Sequence, residues 1–213
     1  MDDVRVVVLT YQGKVFGAEA DIRACMGRFA EPGDHRQNGR TSRKSSHCLM
    51  KCKKPVICAL NGPALRAGLA VVASCDIFIA SEKGSLGVPE INAGLLGGGG
   101  RAIRLFGHSL TRRMMFTGYR VSASELYRLG VIEAVTAPDD LMDAAMDMAR
   151  DIASKSPIAM NLAKHSLNTI EKISLCDGYR FEQGITNVLG QYEDLKEAMR
   201  AFAEKRPPVF KGR

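Results

Sequence analysis

Lys53 to Gly100 reads KKPVICALNGPALRAGLAVVASCDIFIASEKGSLGVPEINAGLLGGGG, and this stretch decides the fold. A short apolar strand, Val56 to Leu60, runs into a turn of small residues, Asn61-Gly62-Pro63-Ala64-Leu65-Arg66-Ala67-Gly68. An apolar helical run follows at Leu69 to Ala73, then a second strand at Ile77 to Ala80. A loop with one carboxylate, Glu90, leads to four consecutive glycines, Gly97 to Gly100. Strand, small residues and the start of a buried helix together bring backbone N–H groups close to a ligand's oxyanion or phosphate. Side chains larger than Gly or Ala would block that approach.

Outward from this stretch the pattern stays mixed on the N-terminal side and turns purely helical on the C-terminal side. Val4 to Leu9 is an apolar, β-branched run and predicts a buried strand. Arg23 to Phe29 predicts a short helix. Glu31 to Ser46 is polar, with Pro32-Gly33 and Asn38-Gly39 as turn signals, and predicts a surface loop. Gly97 to Gly100 open a helix carrying Ile103, Leu105 and Phe106, Ser109 caps the next, and Ser122 with Glu125 forms a capping box. From Asp139 onward Leu141, Ala145, Met148, Ala149 and Ile152 make one apolar face. Ser156-Pro157 is a cap with proline at the first helical position, and the last helix stops before Pro207-Pro208. The fold class is therefore α/β: a core over residues 1–138 and a helical region over 139–213.

The 213 residues are 46% hydrophobic and 25% charged, ordinary values for a chain that buries one good core. No apolar run approaches the roughly 18–20 residues that span a bilayer. Met1-Asp2-Asp3-Val4-Arg5 does not follow a signal-peptide pattern. Six cysteines without regular spacing read as reduced thiols. Together these place the protein in the cytoplasm, or in an organellar matrix if a targeting segment precedes this start. Thirty basic against 23 acidic residues give +7, which suits an anionic partner: the phosphates of a coenzyme, or nucleic acid.

The chain resembles the crotonase superfamily, the enoyl-CoA hydratase/isomerase family. The residues that carry the likeness are Lys54-Pro55-Val56-Ile57, Asn61-Gly62, Ala67-Gly68, Cys75-Asp76, Pro89-Glu90 and the Gly97–Gly100 run. Upstream, Phe16-Gly17-Ala18-Glu19-Ala20-Asp21-Ile22 is similar to the family's first oxyanion loop. Downstream, Phe116-Thr117-Gly118, Ser122-Ala123-Ser124-Glu125 and Leu129-Gly130-Val131-Ile132 follow in the family's order. The resemblance implies a spiral of ββα turns with a C-terminal helical trimerisation region. It implies an acyl-CoA substrate, no cofactor beyond the coenzyme A of that substrate, and a homotrimer or hexamer. It also implies one more strand–helix unit before the position of Val4.

The resemblance further implies the site. Its oxyanion donors are the backbone N–H groups of Ala20 and Ala67, and its acid–base residue is Glu90. Its substrate-binding residues are Ala18, Ala20, Asp21, Ile22, Arg23, Ala67 and Gly98. The family's hydratases use two glutamates, and the first falls at Ala70, which has no acid–base function. Members that move a 3-ene to a 2-ene work with one glutamate at the position of Glu90. Proton transfer at an enoyl group follows, either hydration or isomerisation. The family favours Gly where Glu19, Arg66 and Ala67 stand, so a catalytically weak or inactive binding protein for coenzyme A or RNA is the alternative. Arg66 either contacts substrate or points to solvent. Lys205, Arg206 and Lys211 are placed to reach a coenzyme A phosphate of a neighbouring subunit.

Other chemistries fare worse. His47, Cys48, Cys52 and Cys58 fit no zinc template. Gly97 to Gly100 lack the Lys-Ser/Thr of a P-loop. The basic segment His35 to Lys54 motivates the RNA alternative, but it holds no aromatic residue on which a base would stack.

Overall fold

A computed structural model describes residues 3–17 and 34–213. The described residues of Val8–Met50 and Val56–Met146 form one compact unit, and those of Met1–Val7, Lys51–Pro55 and Asp147–Arg213 form another.

In the first unit, the small-residue turn of the sequence is a strand–strand–helix repeat. Strands β1 (Val7–Leu9), β2 (Val56–Leu60), β4 (Ile77–Ser81) and β7 (Ala134–Thr136) make one sheet, in the order β1-β2-β4-β7. Strands β3 (Pro63–Leu65), β5 (Ser85–Gly87) and β6 (Arg120–Ser122) make another. Each repeat gives its first strand to one sheet and its second to the other, then a helix: β2, β3 and α2 (Ala67–Val72), then β4, β5 and α3 (Gly99–Thr117). β2 and β4 run parallel, with Ile57 opposite Ile77 and Cys58 opposite Phe78. Parallel strands covered on both faces read as continuous apolar runs, and all five residues of β2 are buried. Asp76 fixes their register: its Oδ2 accepts from Val56 N at 2.7 Å, and its own N–H donates to Val56 O at 2.8 Å. Cys58 and Cys75 are buried here, while Cys48 and Cys176 are exposed.

Three expectations shift. The segment 34–51 is helix α1 (Asp34–Lys51), not a loop. Asn38-Gly39 costs a helix about 1 kcal/mol rather than breaking it. Ser46, Leu49 and Met50, at i, i+3 and i+4, give its last turns one sheltered face, and Arg101 donates to the Met50 sulfur at 3.1 Å. β1 covers only Val7 to Leu9 and is half-buried, with Val4 exposed. α3 continues past Ser109, broken instead at Gly107 (φ 66, ψ −166). Ser122 does cap helix α4 (Ala123–Arg128), accepting from Glu125 N at 3.3 Å, and the Glu125 carboxylate accepts from Tyr119 Oη at 2.6 Å. The helix expected at Arg23 to Phe29 lies outside the described residues.

The C-terminal unit is helical, as the pattern after Asp139 predicts. Helix α5 (Leu141–Ala153) leads into it, followed by α6 (Pro157–Ile170), α7 (Leu175–Leu189) and α8 (Glu193–Ala203). Ser156 caps α6, accepting from Ala159 N at 3.2 Å, and donates its hydroxyl to the buried Asp194 at 2.7 Å. Asp194 also accepts from Lys211 N at 2.9 Å and Gly212 N at 3.1 Å, so the last residues fold back onto the start of α8.

Candidate active site

The register of β3 against β5 builds this site. Leu65 lies opposite Gly87, so the residues that follow each strand emerge side by side. After β3 comes Arg66, and after β5 comes the single helical turn Pro89–Ala93, which carries Glu90. Proline opens that turn and Gly94, at φ 68, closes it; Leu95 N donates to Glu90 O at 3.0 Å. Glu90 is 6% exposed.

Two glycines wall the carboxylate. A Cβ placed on Gly97 would stand 3.5 Å from Glu90 Oε1. One on Gly98 would stand 3.8 Å from that oxygen and 2.6 Å from Val88 Cγ1, a distance real side chains do not tolerate. Gly98 is also the cap of α3 at φ 76, where only glycine sits without strain. Gly98 thus lies beside the Glu90 carboxylate.

Arg66 Nε lies 3.7 Å from Glu90 Oε1. Sequence spacing gave no hint of this pair, since 24 positions separate the two and only the parallel register joins them. The side chain faces the carboxylate rather than simply pointing to solvent. Arg66 also has φ 52 and ψ −112, a backbone state for which a residue with a Cβ loses on the order of 1–3 kcal/mol.

Ala67 follows as the first residue of α2 and is exposed. An N–H at that position has no acceptor within its own helix. Gly68 is buried under Gly17, and a Cβ on it would come within 2.2 Å of Gly17 O. Leu65 N donates to the same carbonyl at 2.7 Å, and Gly17 pairs with Ala64 as an isolated parallel bridge. The absence of a side chain at Gly68 thus lets the segment ending at Gly17 run directly against the turn that presents Ala67. Ala18, Glu19, Ala20, Asp21, Ile22 and Arg23 lie outside the described residues. Ala70, one turn along α2 with its N–H on Arg66 O at 3.1 Å, brings no ionisable group.

The family model for enoyl-CoA hydratase/isomerase matches residues 1–213. The chain belongs to that family. It is 36% identical over 211 residues to a probable mitochondrial enoyl-CoA hydratase of Dictyostelium discoideum, covering 98% of this chain and 75% of the relative. It is 36% identical over 208 residues to the short-chain-enoyl-CoA hydratase of Clostridium acetobutylicum, covering 96% and 79%. Among solved structures, an enoyl-CoA hydratase from Bacillus anthracis superposes with a TM-score of 0.94 at 33% identity, covering all of this chain and 83% of that one. The spiral of ββα turns and the helical C-terminal region follow from this membership and from the topology above.

Outside this site, the C-terminal tail carries one of the basic residues singled out in the sequence. Arg206 is held by carboxylates: Nη1 lies 2.6 Å from Glu197 Oε1 and Nε 2.6 Å from Glu204 Oε2. That pair and the N–H of Val209 draw the Glu197 carboxyl down from 4.5 to about 2. Among the described residues, no group of three or more His, Cys, Asp or Glu is placed to hold a metal ion. None of the described helices is long and apolar enough to cross a membrane.

Proposed function

We propose that this chain binds an enoyl-CoA thioester and moves a proton on its enoyl group, with Glu90 as the acid–base residue. The observation that carries the reading is Glu90 itself, a buried carboxylate bordered by Gly97 and by Gly98, whose φ and whose approach to Val88 favour glycine, and beside the turn that presents Ala67. A thioester acidifies its α-protons because the resulting negative charge falls on the carbonyl oxygen. The backbone N–H groups of Ala67 and Ala20 are the donors assigned to that oxygen, and donors fixed in advance stabilise the charge as it develops.

With one carboxylate, the reaction that balances most simply is the shift of a 3-ene to a 2-ene. Glu90 takes a proton from C2, and the C–H electron pair delocalises into a dienolate whose charge rests on the thioester oxygen. Glu90 then returns the proton to C4, and the double bond stands at C2–C3. Hydration needs a group to activate water and a group to protonate C2, and Ala70 supplies neither. Both roles fall to Glu90 in turn, so hydration is the slower reaction. Arg23, Ala18, Asp21, Ile22 and Gly98 are assigned to the substrate, and the +7 charge suits its phosphates.

The helices of the C-terminal unit carry exposed Leu175 (89%), Phe202 (88%) and Met199 (67%), surface that soluble chains bury between subunits. A homotrimer or a pair of trimers is the assembly we assign to it, and light scattering at micromolar concentration reads that mass.

The test of function is a set of 2-enoyl and 3-enoyl thioesters of several lengths, assayed with the wild type and with Glu90→Gln. The expected result is faster isomerisation than hydration, with both reactions lost in the variant. Undiminished turnover in Glu90→Gln would remove the mechanism.

A further inference from the structure

Arg66 occupies a position that its backbone does not need it for. Its N–H donates to Gly87 O at 3.1 Å and its carbonyl accepts from Ala70 N at 3.1 Å, bonds that glycine would make equally well. Its φ of 52 is one that glycine adopts without strain. What arginine adds is a guanidinium 3.7 Å from Glu90 Oε1, with the side chain 23% exposed. A strained residue retained beside a buried carboxylate is an observation that points towards function rather than folding.

We propose that Arg66 is a positioning residue for proton transfer, holding Glu90 Oε1 so that the other carboxylate oxygen handles the proton. The proposal rests on the reading of Glu90 as the acid–base group. A carboxylate withdrawn from water keeps its charge at tolerable cost only with a counter-charge or donors nearby. The guanidinium supplies one without competing for the proton, because arginine offers donors and no lone pair. When Glu90 takes the proton from C2, the negative charge leaves the carboxylate for the dienolate. Arg66 is adjacent in the chain to Ala67, whose N–H is assigned to the oxygen that receives that charge. Its positive charge therefore lies near both the origin and the destination of the electron pair. Ala70 stands one turn further along the same helix, so this site has an opposite-charge pair where two carboxylates would repel.

The experiment compares wild type, Arg66→Gly and Arg66→Lys on a 3-enoyl-CoA thioester, with kcat, KM and melting temperature measured for each. In Arg66→Gly, kcat falls about 10–100-fold, the range for a catalytic group out of place by an ångström. KM changes by less than about threefold, since binding is not what is lost. The melting temperature holds or rises, because glycine relieves the backbone. Arg66→Lys recovers part of kcat, and millimolar guanidinium ion restores Arg66→Gly without accelerating wild type. An unchanged kcat in Arg66→Gly overturns the proposal. So does a loss of kcat that follows a loss of melting temperature and that neither lysine nor guanidinium recovers. Activity abolished by Glu90→Gln but intact in Arg66→Gly removes Arg66 alone, whereas a wild type inert toward every enoyl thioester removes the functional reading and this proposal with it.

Discussion

Glu90 and Asp194 are both carboxylates taken out of water, 6% and 2% exposed, and their surroundings differ in kind. Asp194 is saturated by short donors: the Ser156 hydroxyl at 2.7 Å, Lys211 N at 2.9 Å and Gly212 N at 3.1 Å. The donors come from two separate pieces of backbone, so the carboxylate stitches the start of α6 and the C-terminal tail to α8. Glu90 instead meets a guanidinium at 3.7 Å and two glycines that leave room at its edge. Burial alone does not distinguish a chemical carboxylate from a structural one. What differs is the neighbours: Asp194 accepts from a cap hydroxyl and two backbone N–H groups, whereas Glu90 faces the Arg66 side chain and a glycine-lined edge.

The sharpest way to break this comparison is to neutralise each acid in turn. Glu90→Gln should lower turnover by about 10²–10⁴-fold, the range for a positioned acid–base group, while leaving the melting temperature close to wild type. Asp194→Asn should do the reverse, with turnover per folded molecule nearly intact. Equal losses of turnover in both would erase the distinction. Next in size, Ala70→Glu places a second carboxylate on α2 and should raise hydration relative to isomerisation by about tenfold or more. A wild type that already hydrates 2-enoyl thioesters rapidly would show that another group fills the second role.

Asp194→Ala leaves the buried Ser156 hydroxyl and two backbone N–H groups without their acceptor. Loss of such a charged network should cost on the order of 2–4 kcal/mol, visible in thermal unfolding and in faster proteolysis of the tail from Pro207 onward. The smallest effect belongs to Glu197. Its carboxyl is drawn from 4.5 to about 2 by Arg206, so the pair's stabilisation is complete above pH 4.5. It fades as the pH falls from there towards 2. Glu197→Gln should therefore be less stable than wild type at neutral pH, and the two should converge across that acid window. A gap that persists at pH 2 would mean that Glu197 contributes through packing rather than charge.

Much of this architecture was legible before any coordinates. β2 announces itself as five consecutive apolar residues because it is covered on both faces, and Ser156-Pro157 as a helix start because both residues suit that geometry. Glu90 and Gly98 were legible through the order of motifs. Helix α1 escapes a sequence reading because its sequence, DHRQNGRTSRKSSHCLMK, is polar along most of its length and displays little apolar periodicity. The Arg66–Glu90 pair was invisible for a different reason: it depends on the register of β3 against β5, which no local pattern encodes.

The buried thiols give this protein an internal clock. Alkylation requires the thiolate and access to it. Cys48 and Cys176 are exposed, so their labelling is governed by the reagent. Cys58 lies in β2 and Cys75 just before β4, and the contact with Cys75 together with burial holds the Cys58 thiol well above its ordinary range. Both are shielded from reagent in the folded protein, Cys58 within the parallel sheet itself. Their slow labelling therefore reports how often β2 and β4 separate, and a substrate that stiffens the turn between β3 and α2 would register as a slower tick without any chemistry taking place.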